Sequence, residues 1–210
     1  MGLKLTVYAL LNPKAFWPFL YMFLSTLPPN LFNIYTYVLL GIGNWSFSLY
    51  NANSFVANVI ATIILIIGIK KLGESYPYNT ITLLSQILSS IVLIMACTIV
   101  ISGQYAPWEY SLFWGFLLIL QNFASNLLFT AIVGRVSKYL PKGFESTGIE
   151  IVVSFFYLGS FTLGPYFSKP YVDYYNVKSG YYERLATPQV IISIVRVGFV
   201  LIAPLFLWRK

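Results

Sequence analysis

The stretch IILIIGI, residues 63–69, is apolar at every position. A strand of a membrane barrel alternates lipid-facing apolar with inward polar residues over segments of about ten, so an unbroken apolar run excludes a barrel and points to a helix. LSSIVLIMA, residues 88–96, likewise lacks strict alternation of polarity. IILIIGI also closes a longer run: from Ala15 to Ile69, 55 residues, there is no Asp, Glu, Lys or Arg. As one helix that run would extend about 80 Å, against a hydrocarbon thickness of about 30 Å, so at least two spans are folded within it.

The rest of the chain agrees. Over 210 residues, 58% are hydrophobic and 9% charged, with a mean hydropathy of +0.75, far from the roughly one-quarter charged content of soluble domains. Breaks at charges, Gly, Pro and Asn clusters predict six helices at about 15–39, 52–70, 78–102, 109–133, 147–167 and 188–208, forming a single all-α transmembrane domain. The first is interrupted by Leu27-Pro28-Pro29-Asn30, where two fixed φ angles and two missing donors predict a kink. The N-terminus lacks the pattern of a cleaved secretory signal, so the first hydrophobic segment is expected to be retained.

Thirteen Lys and Arg against six Asp and Glu give a net charge of +7. In a soluble protein this would raise nucleic acid as a partner; in a membrane protein the positive-inside rule accounts for it, and no nucleic acid is expected. Lys4, Lys14, Lys70, Lys71, Arg135, Lys138, Lys142, Arg209 and Lys210 fall on one side of the six predicted spans, and Lys169, Lys178 and Arg184 on the other. That asymmetry places both termini in the cytoplasm. The sequon Asn44-Trp45-Ser46 then faces the opposite side, in a turn too short to favour modification. The tyrosine-rich loop 168–186 suits a headgroup-level aromatic belt. With no His and one cysteine, Cys97, the chain offers no His-based metal site, no Ser/His triad and no intrachain disulfide. No cofactor is called for.

Polar groups at membrane depth are the candidate functional residues. Gln121, Asn122, Ser125 and Asn126 include two pairs four apart and so share a helical face. Counted from Glu109, Gln121 lies about 18 Å deep, near the middle of the bilayer. These groups line an aqueous cavity or bond neighbouring helices; both readings fit. Asn30 and Asn58 come out at similar depths nearer the outside and are candidates for the same wall. Arg196 interrupts the sixth span at about 12 Å from its outer boundary, within snorkelling reach of headgroups. Glu150, about 14 Å away along the membrane normal, is not its partner. Thr147 and Glu150 instead have the spacing of a capping box at the start of the fifth span. Glu145 with Glu150 could suggest acid/base chemistry, but no nucleophile or metal set surrounds them, and an enzyme is not expected.

At Leu140-Pro141-Lys142-Gly143-Phe144-Glu145-Ser146-Thr147 the sequence resembles the folate-biopterin transporter family of the major facilitator superfamily. Pro141, Gly143, Glu145 and Thr147 match that family's Pro-x-Gly-x-Glu-x-Thr pattern, and a small-residue run, SFFYLGSFTLG, follows. The resemblance covers essentially the whole chain, as the C-terminal six-helix half of a twelve-helix transporter. It implies that spans one, two, four and five face the cavity while three and six stand outside. It further implies that Pro141, Gly143, Glu145, Thr147 and Glu150 brace a cytoplasmic gate, and that solute is carried by alternating access between two halves. Pterins and folates are the solute class by resemblance alone. A second half or a second copy would be needed for transport; the alternative is a non-transporting remnant or accessory membrane subunit.

Overall fold

The computed structural model describes residues 7, 11–27, 45–102, 107–140, 142–143, 145–163, 166, 170 and 186–208. Among them are six α-helices and no strand: α1 Pro13–Thr26, α2 Phe47–Ser75, α3 Tyr78–Ser102, α4 Pro107–Ser137, α5 Glu145–Tyr157 and α6 Ala186–Leu207. A π-helical turn, Leu158–Leu163, continues α5. The Pro28-Pro29 break, Asn30, Asn44, Pro141 and the tyrosine loop from Tyr171 to Tyr182 lie outside the described residues.

Local chemistry sets the helix starts. Asn12 caps α1, its Oδ1 accepting from the Lys14 backbone N–H at 3.0 Å, and Pro13 occupies the first helical position, where a missing N–H costs nothing. Ser46 caps α2 by accepting from Leu49 N–H at 3.1 Å. Only Tyr76 and Pro77 separate α2 from α3, so the chain reverses direction there.

Four helices contain segments long and apolar enough to cross a bilayer: Phe47–Gly68, Tyr78–Ala96, Leu112–Ser137 and Val190–Leu207. The protein is therefore a helical membrane protein by length and composition. The described part of α1 has 14 residues, about 21 Å, and the α-helical part of α5 has 13, each short of a full crossing.

Helix α4 touches the most neighbours, packing against α3, α2, α1 and α5, and α3 lies between α4 and α6. Half of the α3 span is buried inside the protein, against 11% of α2 and 17% of α6. This reverses the expected layout, in which the third span stood outside and the second faced a cavity. The two helices direct their polar residues differently: α3 buries the polar face described below, whereas Asn51, Asn58 and Thr62 of α2 are exposed. Phe55, Ile63, Ile66 and Ile67 of α2 project outward. That surface would be unstable against water but suits hydrocarbon, where there is no apolar area to hide.

Two apolar layers hold the bundle. Around one end, Trp45, Ala57, Val92, Leu93, Ala96, Trp114, Leu117, Leu118 and Ile192 pack together. Toward the other, Met22, Leu128, Ile132, Val136, Leu140 and Val152 join α1, α4 and α5, with Ile81, Leu127 and Ala131 beside them. The polar residues lie between these layers.

Candidate functional site

Thr82, Ser85, Gln86 and Ser89 of α3 are spaced i, i+3, i+4, i+7, one stripe of a helix. All four are buried. Thr82 donates to its own helix, at Tyr78 O, 2.8 Å away. The others reach across: Ser85 Oγ donates to Ala124 O at 2.7 Å, Ser89 Oγ to Gln121 Oε1 at 3.3 Å, and Gln86 Nε2 to Ser25 Oγ at 3.1 Å. Gln121 Nε2 donates in turn to Ser125 Oγ at 3.3 Å. Helices α1, α3 and α4 are thus stitched by buried side chains, which is how polar residues commonly bind membrane helices together.

The stripe also borders a space. Ser25 and Thr26 of α1, Ser85, Gln86 and Ser89 of α3, Gln121, Ala124, Ser125 and Leu128 of α4, Phe156 of α5 and Arg196 of α6 enclose a cavity of about 60 Å³. A single water needs roughly 15 Å³ of such space, so this one accommodates a few. Arg196 is the eleventh of the 22 residues of α6, leaving about 15 Å of helix on either side. The expectation that Arg196 is a peripheral, snorkelling anchor is thereby corrected: it stands at mid-helix, on the cavity wall.

Of the candidates read from sequence, Gln121 and Ser125 border this cavity and Gln121 is 9% exposed. Asn122 and Asn126 are half-buried and do not border it. Each residue turns about 100°, so the second pair of the shared face points past the cavity edge. Asn58 is exposed on α2, away from the cavity; its carbonyl accepts from Thr62 Oγ1 at 2.8 Å. Asn30 lies outside the described residues. The α3 residues and Arg196 were missed as wall residues, although the i, i+3, i+4, i+7 spacing of Thr82, Ser85, Gln86 and Ser89 was there to be read.

The proposed gate region has a different construction. Helix α5 begins at Glu145, so Thr147 lies inside its first turn and is not an N-cap; the expected Thr147–Glu150 capping box is not formed. Glu145 takes the bridging role instead, its Oε2 accepting from Gly143 N–H at 2.7 Å. Gly143 has φ +86°, in the left-handed region that glycine tolerates best, and this turns the chain from α4 into α5. A carboxylate in the first turn also suits the positive end of the helix. Glu150 is exposed, and Pro141 is outside the described residues.

At the same end of the bundle Arg135 acts as a clamp. Pro18, inside α1, has no N–H, so the carbonyl four residues earlier, Lys14 O, lacks its helical donor. Arg135 Nε donates to that carbonyl at 3.2 Å, while Arg135 Nη1 donates to Leu207 O, at the C-terminus of α6, at 3.0 Å. Asn79 Nδ2 shares the Leu207 carbonyl at 2.7 Å. One turn away, Lys138 Nζ sits 4.7 Å from the centre of the Tyr78 ring, and Gly134 lies so close to that ring that a Cβ there would overlap it.

Among the described residues, no group of three or more His, Cys, Asp or Glu is placed to hold a metal ion. No protein-family model, curated protein or solved structure matches the chain.

Proposed function

We propose that this chain is one helical bundle of a membrane solute transporter, with the polar layer at Gln121, Ser125, Gln86, Ser89 and Arg196 as its part of the solute path. The supporting observation is the cavity itself: a cation and seven hydroxyl or amide side chains surround open space midway along apolar helices. Such a layer is costly in hydrocarbon unless its groups pair with one another or with a solute, and the open space among them favours a solute.

On this reading the chain has six spans with cytoplasmic termini and corresponds to the C-terminal half of a folate-biopterin-type transporter. Transport would proceed by alternating access against a separate half or a second copy, around a site near the midplane. Glu145 and Gly143 would shape the cytoplasmic hinge. The solute class, pterin or folate, rests on the Pro141, Gly143, Glu145 and Thr147 resemblance only. Space of about 60 Å³ is too small for a bicyclic ring unless the helices part. That size favours the second reading, an accessory or residual bundle that moves no pterin.

Uptake into proteoliposomes tests the proposal. Vesicles carrying the protein should accumulate labelled biopterin, folate or a smaller solute above protein-free vesicles, and Gln121→Leu should lower that uptake at least tenfold with insertion unchanged. Uptake equal to empty vesicles for every solute would leave the accessory-bundle reading.

A further inference from the structure

The charge and donor pattern of the cavity goes further than its existence. Its walls carry one guanidinium, from Arg196, and no carboxylate among the described lining residues. Several neighbours have their hydrogens already committed. Ser25 Oγ donates to Met22 O at 2.8 Å, Thr26 Oγ1 to Phe23 O at 2.7 Å and Ser85 Oγ to Ala124 O. Others keep hydrogens in hand. An amide nitrogen has two: Gln86 uses one on Ser25, and Gln121 uses one on Ser125. Ser125 accepts in that bond, so its own O–H hydrogen is not spent there. Gln121 Oε1 accepts from Ser89 Oγ.

The cavity therefore presents one guanidinium and the unspent hydrogens of Gln86, Gln121 and Ser125 beside neutral hydroxyl and amide oxygens, with no carboxylate among the described lining residues. We propose that it is a binding site for a small monovalent anion, of chloride or formate size, held by Arg196 with Gln86, Gln121 and Ser125 donating around it. This deepens the transporter reading by naming the solute class and rests on the same cavity. The volume suits the assignment, because about 60 Å³ accepts a halide or a one-carbon carboxylate and excludes a sugar acid. Hydrogen bonds from charged and neutral donors to an anion are the strong ones, and they strengthen where water is scarce. A cation is disfavoured by the guanidinium on the same cavity wall.

The test is anion-dependent stability of the purified protein in detergent, at constant ionic strength, with sodium gluconate as the anion too large to enter. Sodium chloride and sodium formate, each titrated into gluconate, should raise the unfolding midpoint saturably, and which of the two acts at lower concentration identifies the preferred anion. Labelled formate or chloride should bind with matching concentration dependence. Arg196→Gln should weaken binding at least tenfold. Should that variant fold poorly, Gln121→Glu places a carboxylate in the cavity at almost unchanged volume and should abolish the response to added anion, while Asn58→Leu, on the outer face, should leave it intact. Equal midpoints in gluconate, chloride and formate, or an undiminished response in Gln121→Glu, would overturn the proposal. Vesicle flux separates this from the transporter reading. Anion binding without flux keeps the site and removes transport; pterin flux without anion binding does the reverse.

Discussion

Two arginines divide this bundle into a mechanical end and a chemical middle. Arg135 spends its guanidinium on main-chain carbonyls that proline and helix termination have left without donors, at Lys14 and Leu207. Arg196 stands on the wall of a small cavity among hydroxyls and amides of three other helices, α1, α3 and α4. The same side chain serves opposite ends because of what surrounds it. Arg135 meets carbonyls and locks helices together, whereas Arg196 borders a space lined by hydroxyls and amides.

Substitutions can break that contrast, starting with the clamp. Arg135→Leu should destabilise the protein by about 2 kcal/mol, because the bond to Leu207 O is part-buried and that to Lys14 O is exposed to possible replacement by water. Measured as detergent unfolding, the loss should shrink when Pro18→Ala restores a backbone donor for Lys14 O; the pair should be non-additive in a double-mutant cycle. Full additivity would mean that the Lys14 bond contributes nothing.

The cavity roof offers the next largest effect. A Cβ on Gly159, in the π-helical turn after α5, would overlap the Thr26 hydroxyl. Gly159→Ala should cost about 1–2 kcal/mol through overpacking, and Thr26→Ala in the same chain should recover most of it. Inside the polar layer the stability effects are smaller. Ser85→Ala removes the 2.7 Å bond to Ala124 O and should cost about 0.6 kcal/mol, the average for interhelical bonds in membranes. If the contrast holds, Gln121→Leu costs a similar amount in stability yet abolishes anion response, whereas Arg135→Leu does the opposite. Least of all, Lys138→Gln removes a cation over the Tyr78 ring and should change unfolding by about 0.5 kcal/mol. Tyr78 near-ultraviolet signal should shift with it.

Much of the middle was legible. The depth of Gln121 and its four-residue spacing to Ser125 follow from rise and periodicity, and both residues border the cavity. Asn122 and Asn126 show the limit of that reasoning, since a helical face is wider than a cavity wall. Arg196 could be placed in depth but not in azimuth, and a snorkelling cation and a wall cation look alike in one dimension. Thr147 and Glu150 had capping-box spacing, but α5 starts two residues before Thr147, at Glu145. A residue's role as cap depends on where the helix begins, and the turn at Gly143 decides that. The clamp left the least trace, because Pro18 and Arg135 are linked only through a carbonyl across 121 positions of sequence.

That separation has a consequence for how the protein is made. When α1 emerges from the ribosome, the Lys14 carbonyl has no helical donor, and the side chain that will supply one is more than a hundred residues from being synthesised. The Leu207 carbonyl, which the same guanidinium holds, is formed later still. Until α4 has been threaded and α6 completed, this end of the bundle is an open seam that water, lipid headgroups or an insertion factor must cover. The Lys14 carbonyl thus gains its donor only once α4 is in place, and the Leu207 carbonyl joins the same guanidinium only once α6 is made.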